Sequence, residues 1–299
     1  MPTVSTPVLA IDYDDRGDPD ASPVLLLHGW PDCPHGWRQI ADSLVAAGYR
    51  TVIPANRGTG ATRFHDPDTP RDGSGPALAR DVLDLADALG LVRFAVVGHD
   101  WGARVGYTLG VVAPERVISV AALALAYQPG GRFAIPEFSQ ARSFWYQWLM
   151  YVEAGAAAVA DDPIGFARYM WQTWSPPGWW TEDDFAAAAT DFANLDWVAI
   201  TLSAYRSRFR ADEPRDPRYD DLRATITATE QVTVPTLMIQ GGADLCDEPS
   251  ASEGLGGYFN SYRRVVLPGV GHFPHRERPD LVITEVVAHL GQHRRWRRT

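Results

Sequence analysis

The chain has 299 residues and a formal net charge of −10, a size that fits one large α/β domain or a domain carrying a sizeable insertion. An acidic surface repels nucleic acid and anionic membranes, so neither is an expected partner. The only cysteines, Cys33 and Cys246, make no disulfide framework, no apolar run is long enough to span a bilayer, and Met1–Ala10 has neither a basic start nor a long apolar centre. A reduced, cytoplasmic location is therefore expected. The basic run Arg294-Arg295-Trp296-Arg297-Arg298 reads as a solvated tail after the last helix.

Val8 to Asp12 reads as a short edge strand, and Asp14 to Pro23 is rich in turn residues. Val24-Leu25-Leu26-Leu27 is a continuous apolar run, the pattern of a strand buried on both faces of a parallel sheet. It ends at His28-Gly29-Trp30-Pro31. Trp37 to Ala47 has helical spacing, Thr51-Val52-Ile53 is the next strand, and Asn56-Arg57-Gly58-Thr59-Gly60 is a glycine-punctuated loop. Pro76 to Leu89 is a helix closed by Gly90. The strand Phe94-Ala95-Val96-Val97 leads into Gly98-His99-Asp100-Trp101-Gly102, and Ala103 to Val112 is helical again. Val117 to Leu125 is a further apolar strand. Strands and helices alternating at these lengths predict a mostly parallel, doubly wound sheet.

The pattern changes near Tyr127. Up to about Glu230 no convincing strand occurs, and tryptophan and tyrosine are dense. Helices are expected at Ser139–Tyr151, Pro163–Trp174, Glu182–Asn194 and Leu195–Phe209. This divides the chain into a core of residues 1–126 and 231–299 and a helical cap of residues 127–230. In the second core segment, Thr236–Gln240 and Arg264–Leu267 are strands, and Leu281–Leu290 is the closing helix.

Ligands of parallel sheets bind at the carboxyl ends of the strands. The residues found there are His28-Gly29-Trp30-Pro31, then Asp100, then Gly241-Gly242-Ala243-Asp244, then Gly269-Val270-Gly271-His272. Gly98-His99-Asp100-Trp101-Gly102 has the form of a nucleophile elbow, a strained strand-to-helix turn crowded enough to need small residues. Its centre is aspartate where serine is familiar. Nucleophile, acid and histidine then follow in the order of the α/β-hydrolase triad. The acid does not follow the earlier strand, because Ala121 to Gly131 contains no carboxylate. Asp244 is the expected acid, with Asp247 and Glu248 behind it. Taken singly, Asp100 could be a helix N-cap, His272 a turn histidine and Asp244 a loop residue; their joint placement argues for catalysis. His28, His35 and His99 read as structural, His275 as solvent-facing, and Cys33 and Cys246 as loop residues near the site without reactive character.

An ionised carboxylate attacks an sp3 carbon without prior deprotonation, which suits a strained epoxide or a carbon–halogen bond. The product is an ester of Asp100. His272, oriented by Asp244, would then activate water against the ester carbonyl. The backbone N–H groups of Trp30 and Trp101 are expected to bind the resulting oxyanion.

With these residues in place, the chain resembles the epoxide hydrolases of the α/β-hydrolase fold and their dehalogenase relatives. The resemblance rests on His28-Gly29-Trp30-Pro31, Gly98-His99-Asp100-Trp101-Gly102, Asp244 and Gly271-His272, and it covers nearly the whole chain. It implies an α/β-hydrolase core with an inserted helical cap and no metal or organic cofactor. Tyr146-Gln147 and Tyr205-Arg206 resemble the cap stretches that carry the family's two ring-opening tyrosines. The other reading of each is aromatic packing beside Trp145, Trp148, Trp171, Trp174, Trp179 and Trp180. A phenol suits the task, since it donates a proton to a basic alkoxide and is not ionised beforehand.

Dehalogenation is the alternative. Trp101 could donate its indole N–H to a halide, and Arg104 resembles one of two carboxylate-binding arginines of fluoroacetate dehalogenases. Trp101 stands where the second arginine would be, and Arg104 then reads as a residue that supports the site from behind or forms an ion pair. Asn56 stands where an aspartate usually precedes Arg57-Gly58, and reads as a local change away from the chemistry. A third reading is a fold relative that binds a ligand without turnover, which has no need of the full set. The aromatic cap suggests a small apolar or aryl-bearing epoxide, with Trp145, Pro31 and Arg104 as candidate binding residues. A homodimer is compatible with the sequence.

Overall fold

The computed structural model describes residues 2–210 and 212–293. The arginine-rich run at 294–298 lies outside the described residues. The strands are β1 (Thr3–Ser5), β2 (Leu9–Arg16), β3 (Ser22–Leu27), β4 (Tyr49–Pro54), β5 (Arg63–Phe64), β6 (Phe94–His99), β7 (Val117–Leu123), β8 (Thr236–Gly241) and β9 (Tyr262–Leu267). The helices are α1 (Arg38–Ala46), α2 (Gly75–Ala88), α3 (Trp101–Val112), α4 (Phe138–Ser143), α5 (Trp145–Tyr151), α6 (Glu153–Asp161), α7 (Pro163–Thr173), α8 (Glu182–Phe192), α9 (Trp197–Arg206), α10 (Asp220–Ala228), α11 (Pro274–Glu277) and α12 (Pro279–Gln292).

The sheet runs β1-β2-β4-β3-β6-β7-β8-β9, with β5 pairing β2. From β4 to β9 every neighbouring pair is parallel. Residues alternate between two apolar layers. Val24, Leu26, Ala95 and Val97 face α1 and α12 through Ile40, Leu44, Val282 and Val286. Leu25, Leu27, Phe94 and Val96 face α2 and α3 through Leu78, Val82, Val105 and Leu109. Both faces are covered, which is why β3 and β6 are apolar without interruption.

The expected edge strand at Val8–Asp12 is not an edge. β2 continues to Arg16 and lies between β1 and β4. Its charged end is carried by ion pairs: Asp14 accepts from Arg16 at 2.8 Å and Asp15 from Arg50 of β4 at 2.9 Å. In sequence, those aspartates read as a turn.

The stretch between β7 and β8 holds helices and no strand among its described residues. The segment expected as a single helix, Ser139–Tyr151, is two helices broken at Phe144. α6 and α10 were not expected. α10 buries no side chain, and α6 buries only Gly155, Ala156 and Val159, so neither has an apolar stripe to read. Tyr146 therefore sits on α5, the second helix of this segment, and Tyr205 on α9 is followed by α10.

Arg57 ties this segment to the core. From the loop after β4 it donates to Asp81 of α2 at 2.6 and 2.7 Å, to the Asp72 carbonyl at 2.7 Å and to the Tyr219 hydroxyl at 3.0 Å. The guanidinium is fully buried. Replacing it with methionine strands Asp81 as an uncompensated buried charge. Arg57→Met is expected to lower unfolding stability by about 3–5 kcal/mol in urea titrations; a loss within 1 kcal/mol would show that the pair contributes little.

Candidate active site

β6 ends at His99 and α3 begins at Trp101, leaving Asp100 alone in the turn. Asp100 has φ 51° and ψ −111°, a conformation that costs a non-glycine residue energy and turns its side chain out of the sheet. The flanking glycines are required by close approach. A Cβ on Gly98 would lie 2.1 Å from the Gly102 carbonyl oxygen, and one on Gly102 would lie 2.0 Å from that of Leu27. The Asp100 N–H donates to the Leu123 carbonyl at 3.0 Å, locking the turn to β7.

The Trp30 N–H donates to Oδ1 of Asp100 at 2.8 Å. It therefore points at one oxygen of the Asp100 carboxylate and leaves the other free of it. The loop carrying it is braced by Asn56, whose side-chain amide donates to the His28 carbonyl at 2.9 Å and whose backbone N–H meets His28 Nε2 at 3.1 Å. Asn56 is thus closer to the expected oxyanion site than its sequence position implies. Pro31 is buried, and its carbonyl accepts from the Trp171 indole at 2.7 Å, so it fastens α7 to this loop.

His272 follows β9 and lies between two carboxylates. Its Nδ1 is 2.9 Å from Asp244 Oδ2 and 3.1 Å from Oδ1, while its Nε2 is 3.8 Å from Asp100 Oδ2. Among the described residues Nε2 has no hydrogen-bond partner. Asp244 is itself fixed by the N–H groups of Cys246 and Asp247 at 2.8 and 2.9 Å. Burial alone would lower the affinity of His272 for a proton, but the charges of Asp244 and Asp100 hold its pKa well above the ordinary histidine value. Burial would raise Asp100, yet His272, His99 and Arg104 bring it below the ordinary carboxylate value. Asp247 takes a different part: its carboxylate accepts from the Ala126 N–H at 3.0 Å. Burial and the charge of Asp244 push it up to about 7. Glu248 stands outside this set, within 3.4 Å of Ser139.

Tyr146 of α5 and Tyr205 of α9 both pack against Trp30. Their ring centroids are 5.4 Å apart, and Tyr205 lies 5.3 Å from Trp30 and 5.7 Å from Trp101. Both phenols are raised above the ordinary tyrosine value, first by burial and then by neighbouring groups that include Asp100, so both stay protonated. The Tyr146 hydroxyl accepts from Gln147 at 3.1 Å and lies 3.6 Å from the Cys246 sulfur. Cys246 is pushed up to about 11 and Cys33 to about 12, chiefly by burial, and both remain thiols. Trp145 is 38% exposed and meets Tyr146, Phe166 and Tyr169 alike by edge contacts.

Some bracing groups were missed or misread in the sequence. Ser175 holds the His272 N–H at 2.8 Å and donates to Glu277 at 2.7 Å. His99 bonds the His272 carbonyl at 2.8 Å. His275 is not solvent-facing: it is 1% exposed and its Nε2 is 2.8 Å from Asp32. A polar residue after a Gly-Val-Gly turn looks like surface, and only the fold reveals the buried carboxylate that receives it. Asp32, His99 and His275 bring ligand atoms within 4.8 Å of one another. Asp32 also takes two bonds from Arg276, at 2.6 and 3.0 Å, so a guanidinium already supplies the positive charge that a metal would bring.

Residues 22–279 match the sequence profile of the α/β hydrolase fold family, and the chain belongs to that family. Within it, the chain is 33% identical to a candidate epoxide hydrolase of Klebsiella pneumoniae, whose crystal structure superposes with a TM-score of 0.89 over 96% of both chains. It is 29% identical to epoxide hydrolase A of Mycobacterium tuberculosis, over 92% of each chain. It is 26% identical to epoxide hydrolase 3 of Siraitia grosvenorii, over 89% of this chain and 90% of the relative.

Proposed function

We propose that the chain opens epoxides with water to give vicinal diols, through an ester on Asp100. The observation that carries this reading is the pair Tyr146 and Tyr205, two protonated phenols whose ring centroids lie 5.4 Å apart and whose proton affinities both feel the charge of Asp100. In the first step an Asp100 oxygen bonds to an epoxide carbon as the ring C–O bond breaks. The leaving alkoxide takes the proton of one phenol while the second phenol stabilises it by hydrogen bonding. In the second step His272 takes a proton from water, and the hydroxide attacks the Asp100 carbonyl carbon. The oxyanion sits at the Trp30 N–H and, by position, the Trp101 N–H; losing one such donor typically costs about 3 kcal/mol of barrier. Collapse frees the diol, with His272 returning its proton to the leaving oxygen. The remaining proton of the water restores the phenol, and Asp100 is again a carboxylate.

The two carboxylates around His272 give this sequence its order. While Asp100 is ionised, His272 holds a proton. Alkylation removes one of the two negative charges, so the imidazole sheds its proton more readily and becomes a base when the ester exists.

A second reading is carbon–halogen cleavage through the same ester. It is favoured by the indole N–H groups of Trp30 and Trp101, which are buried without hydrogen-bond partners among the described residues and could receive a halide. Single turnover in ¹⁸O-labelled water separates the two readings, run with styrene oxide, a haloalkane and fluoroacetate in parallel. Diol release with label entering Asp100 is the expected outcome. Halide release with no diol from any epoxide would give the site to dehalogenation.

A further inference from the structure

Ring opening that draws on the Tyr146 proton leaves a phenolate. The same step removes the negative charge of Asp100, one of the two that hold the proton on His272. One group then needs a proton and the other must shed one, and Cys246 stands at both. Its Sγ lies 3.6 Å from the Tyr146 hydroxyl. Burial pushes the thiol up to about 11, and the strongest pull against burial comes from His272; the charges of Asp244 and Asp100 reach it as well. With Nδ1 of His272 committed to Asp244, the nitrogen left to exchange a proton is Nε2, which is fully buried and has no hydrogen-bond partner among the described residues.

The loop fixes the sulfur in this place. The Cys246 N–H donates to Asp244 Oδ1 at 2.8 Å, the Cys246 carbonyl accepts from the Gln140 amide at 2.7 Å, and the Leu245 N–H donates to the Trp174 carbonyl at 3.1 Å. Trp174 leaves water little room. Its ring lies 4.9 Å from that of His272 and 5.0 Å from that of Tyr146, and all four side chains are buried. Among the described residues only Gln147 and Cys246 come within hydrogen-bonding distance of the Tyr146 hydroxyl. An amide keeps its protons, so the thiol is the neighbour able to give one up.

We propose that Cys246 is a proton relay: the Tyr146 phenolate takes the Sγ proton while the sulfur takes the Nε2 proton of His272. One S–H and one N–H bond break, one O–H and one S–H bond form, and the thiol ends as it began. His272 is left neutral once the ester exists, ready to take a proton from water. After hydrolysis the proton remaining on the Asp100 carboxyl returns to His272, so over a whole cycle it is water that restores the phenol. Burial raises the phenol well above its ordinary value, which makes its phenolate a strong enough base to draw on the thiol. A thiol held protonated is a poor nucleophile, and the relay asks only for its proton. The relay rests on the epoxide reading above.

The test follows single turnovers of styrene oxide in wild type and in Cys246→Val, which fills the space without an exchangeable proton. Quenched-flow mass spectrometry reads alkylation of Asp100 and decay of the ester separately. Alkylation should change by less than about threefold, whereas ester decay should slow by about tenfold or more. The near-ultraviolet absorbance of tyrosinate should outlast alkylation in Cys246→Val and vanish when Tyr146→Phe is added. Cys246→Ser keeps a proton to pass on and should bring ester decay back to within about threefold of wild type. Circular dichroism checks that each variant is folded, and Cys246→Ala replaces the valine variant if that one is not. Both steps slowed equally, with serine no better than valine and no lasting tyrosinate, would assign Cys246 to packing and overturn the relay. Ester decay at the wild-type rate in Cys246→Val would overturn it too, while diol release by wild type leaves the epoxide reading intact. Absence of diol from wild type would remove the epoxide reading and the relay together.

Discussion

His272→Gln is expected to stop the catalytic cycle halfway. The first step needs only the Asp100 carboxylate and a proton donor, both of which this variant keeps. The second step needs a base, and glutamine has none. Loss of a general base typically removes about 10²–10⁴ in rate, so the Asp100 ester should accumulate as a stable adduct. Mass spectrometry of the intact protein after one turnover should show the mass of one added epoxide, located by digestion to the peptide containing Asp100. Steady diol formation at the wild-type rate would remove His272 from the mechanism. The wild-type enzyme should behave consistently with pH. His272 is held protonated by Asp244 and Asp100 in the free enzyme, and hydrolysis requires it neutral in the ester. Lowering the pH should therefore slow ester hydrolysis more than ester formation, so the adduct should build up on the acid side of the profile. Asp244→Asn should shift that limb to lower pH, because it takes away a charge that holds the proton on His272.

The contrast between what was legible and what was not follows from range. The core was readable because its signals are local: β3 and β6 are apolar runs, α2 and α3 have helical spacing, and glycines mark the crowded turn at Asp100. The positions of Asp100, Asp244 and His272 were readable because each lies on the turn or short loop that leaves the carboxyl end of a strand. The cap was less so. α4 and α5 break at Phe144 without a glycine or proline to mark the break, and α10 packs with no buried side chain. The groups that brace the site arrive from far along the chain. Ser175 is 97 residues from the His272 it supports, and Asp32 is 243 residues from His275. No periodicity encodes such a pairing.

Replacing both Tyr146 and Tyr205 with phenylalanine is expected to abolish ring opening and leave Asp100 unalkylated. An epoxide gives up its oxygen as an alkoxide unless a proton arrives as the bond breaks, and water is scarce among the buried rings of Trp30, Trp101 and Trp174. The two hydroxyls serve one oxygen, so their effects should not add. Either single variant keeps one donor and should lose about 10²-fold, whereas the pair should lose the step altogether. The single variants should also differ. The Tyr146 hydroxyl is anchored by Gln147 and lies beside Cys246, whereas no group among the described residues anchors that of Tyr205, whose pKa Asp100 raises more directly. Tyr205→Phe should therefore depress alkylation more. The readout is the pre-steady-state rate of ester formation in the His272→Gln background, where hydrolysis cannot mask it. Both rings pack against Trp30, and phenylalanine preserves that contact, so stability should change little. If the double variant still alkylates Asp100 at the rate of its parent, the proton comes from elsewhere and the cap tyrosines are packing. A haloalkane needs no such proton, since halide leaves as a stable anion. Any carbon–halogen cleavage by this site should therefore survive the double substitution, and the two chemistries would part at these two hydroxyls.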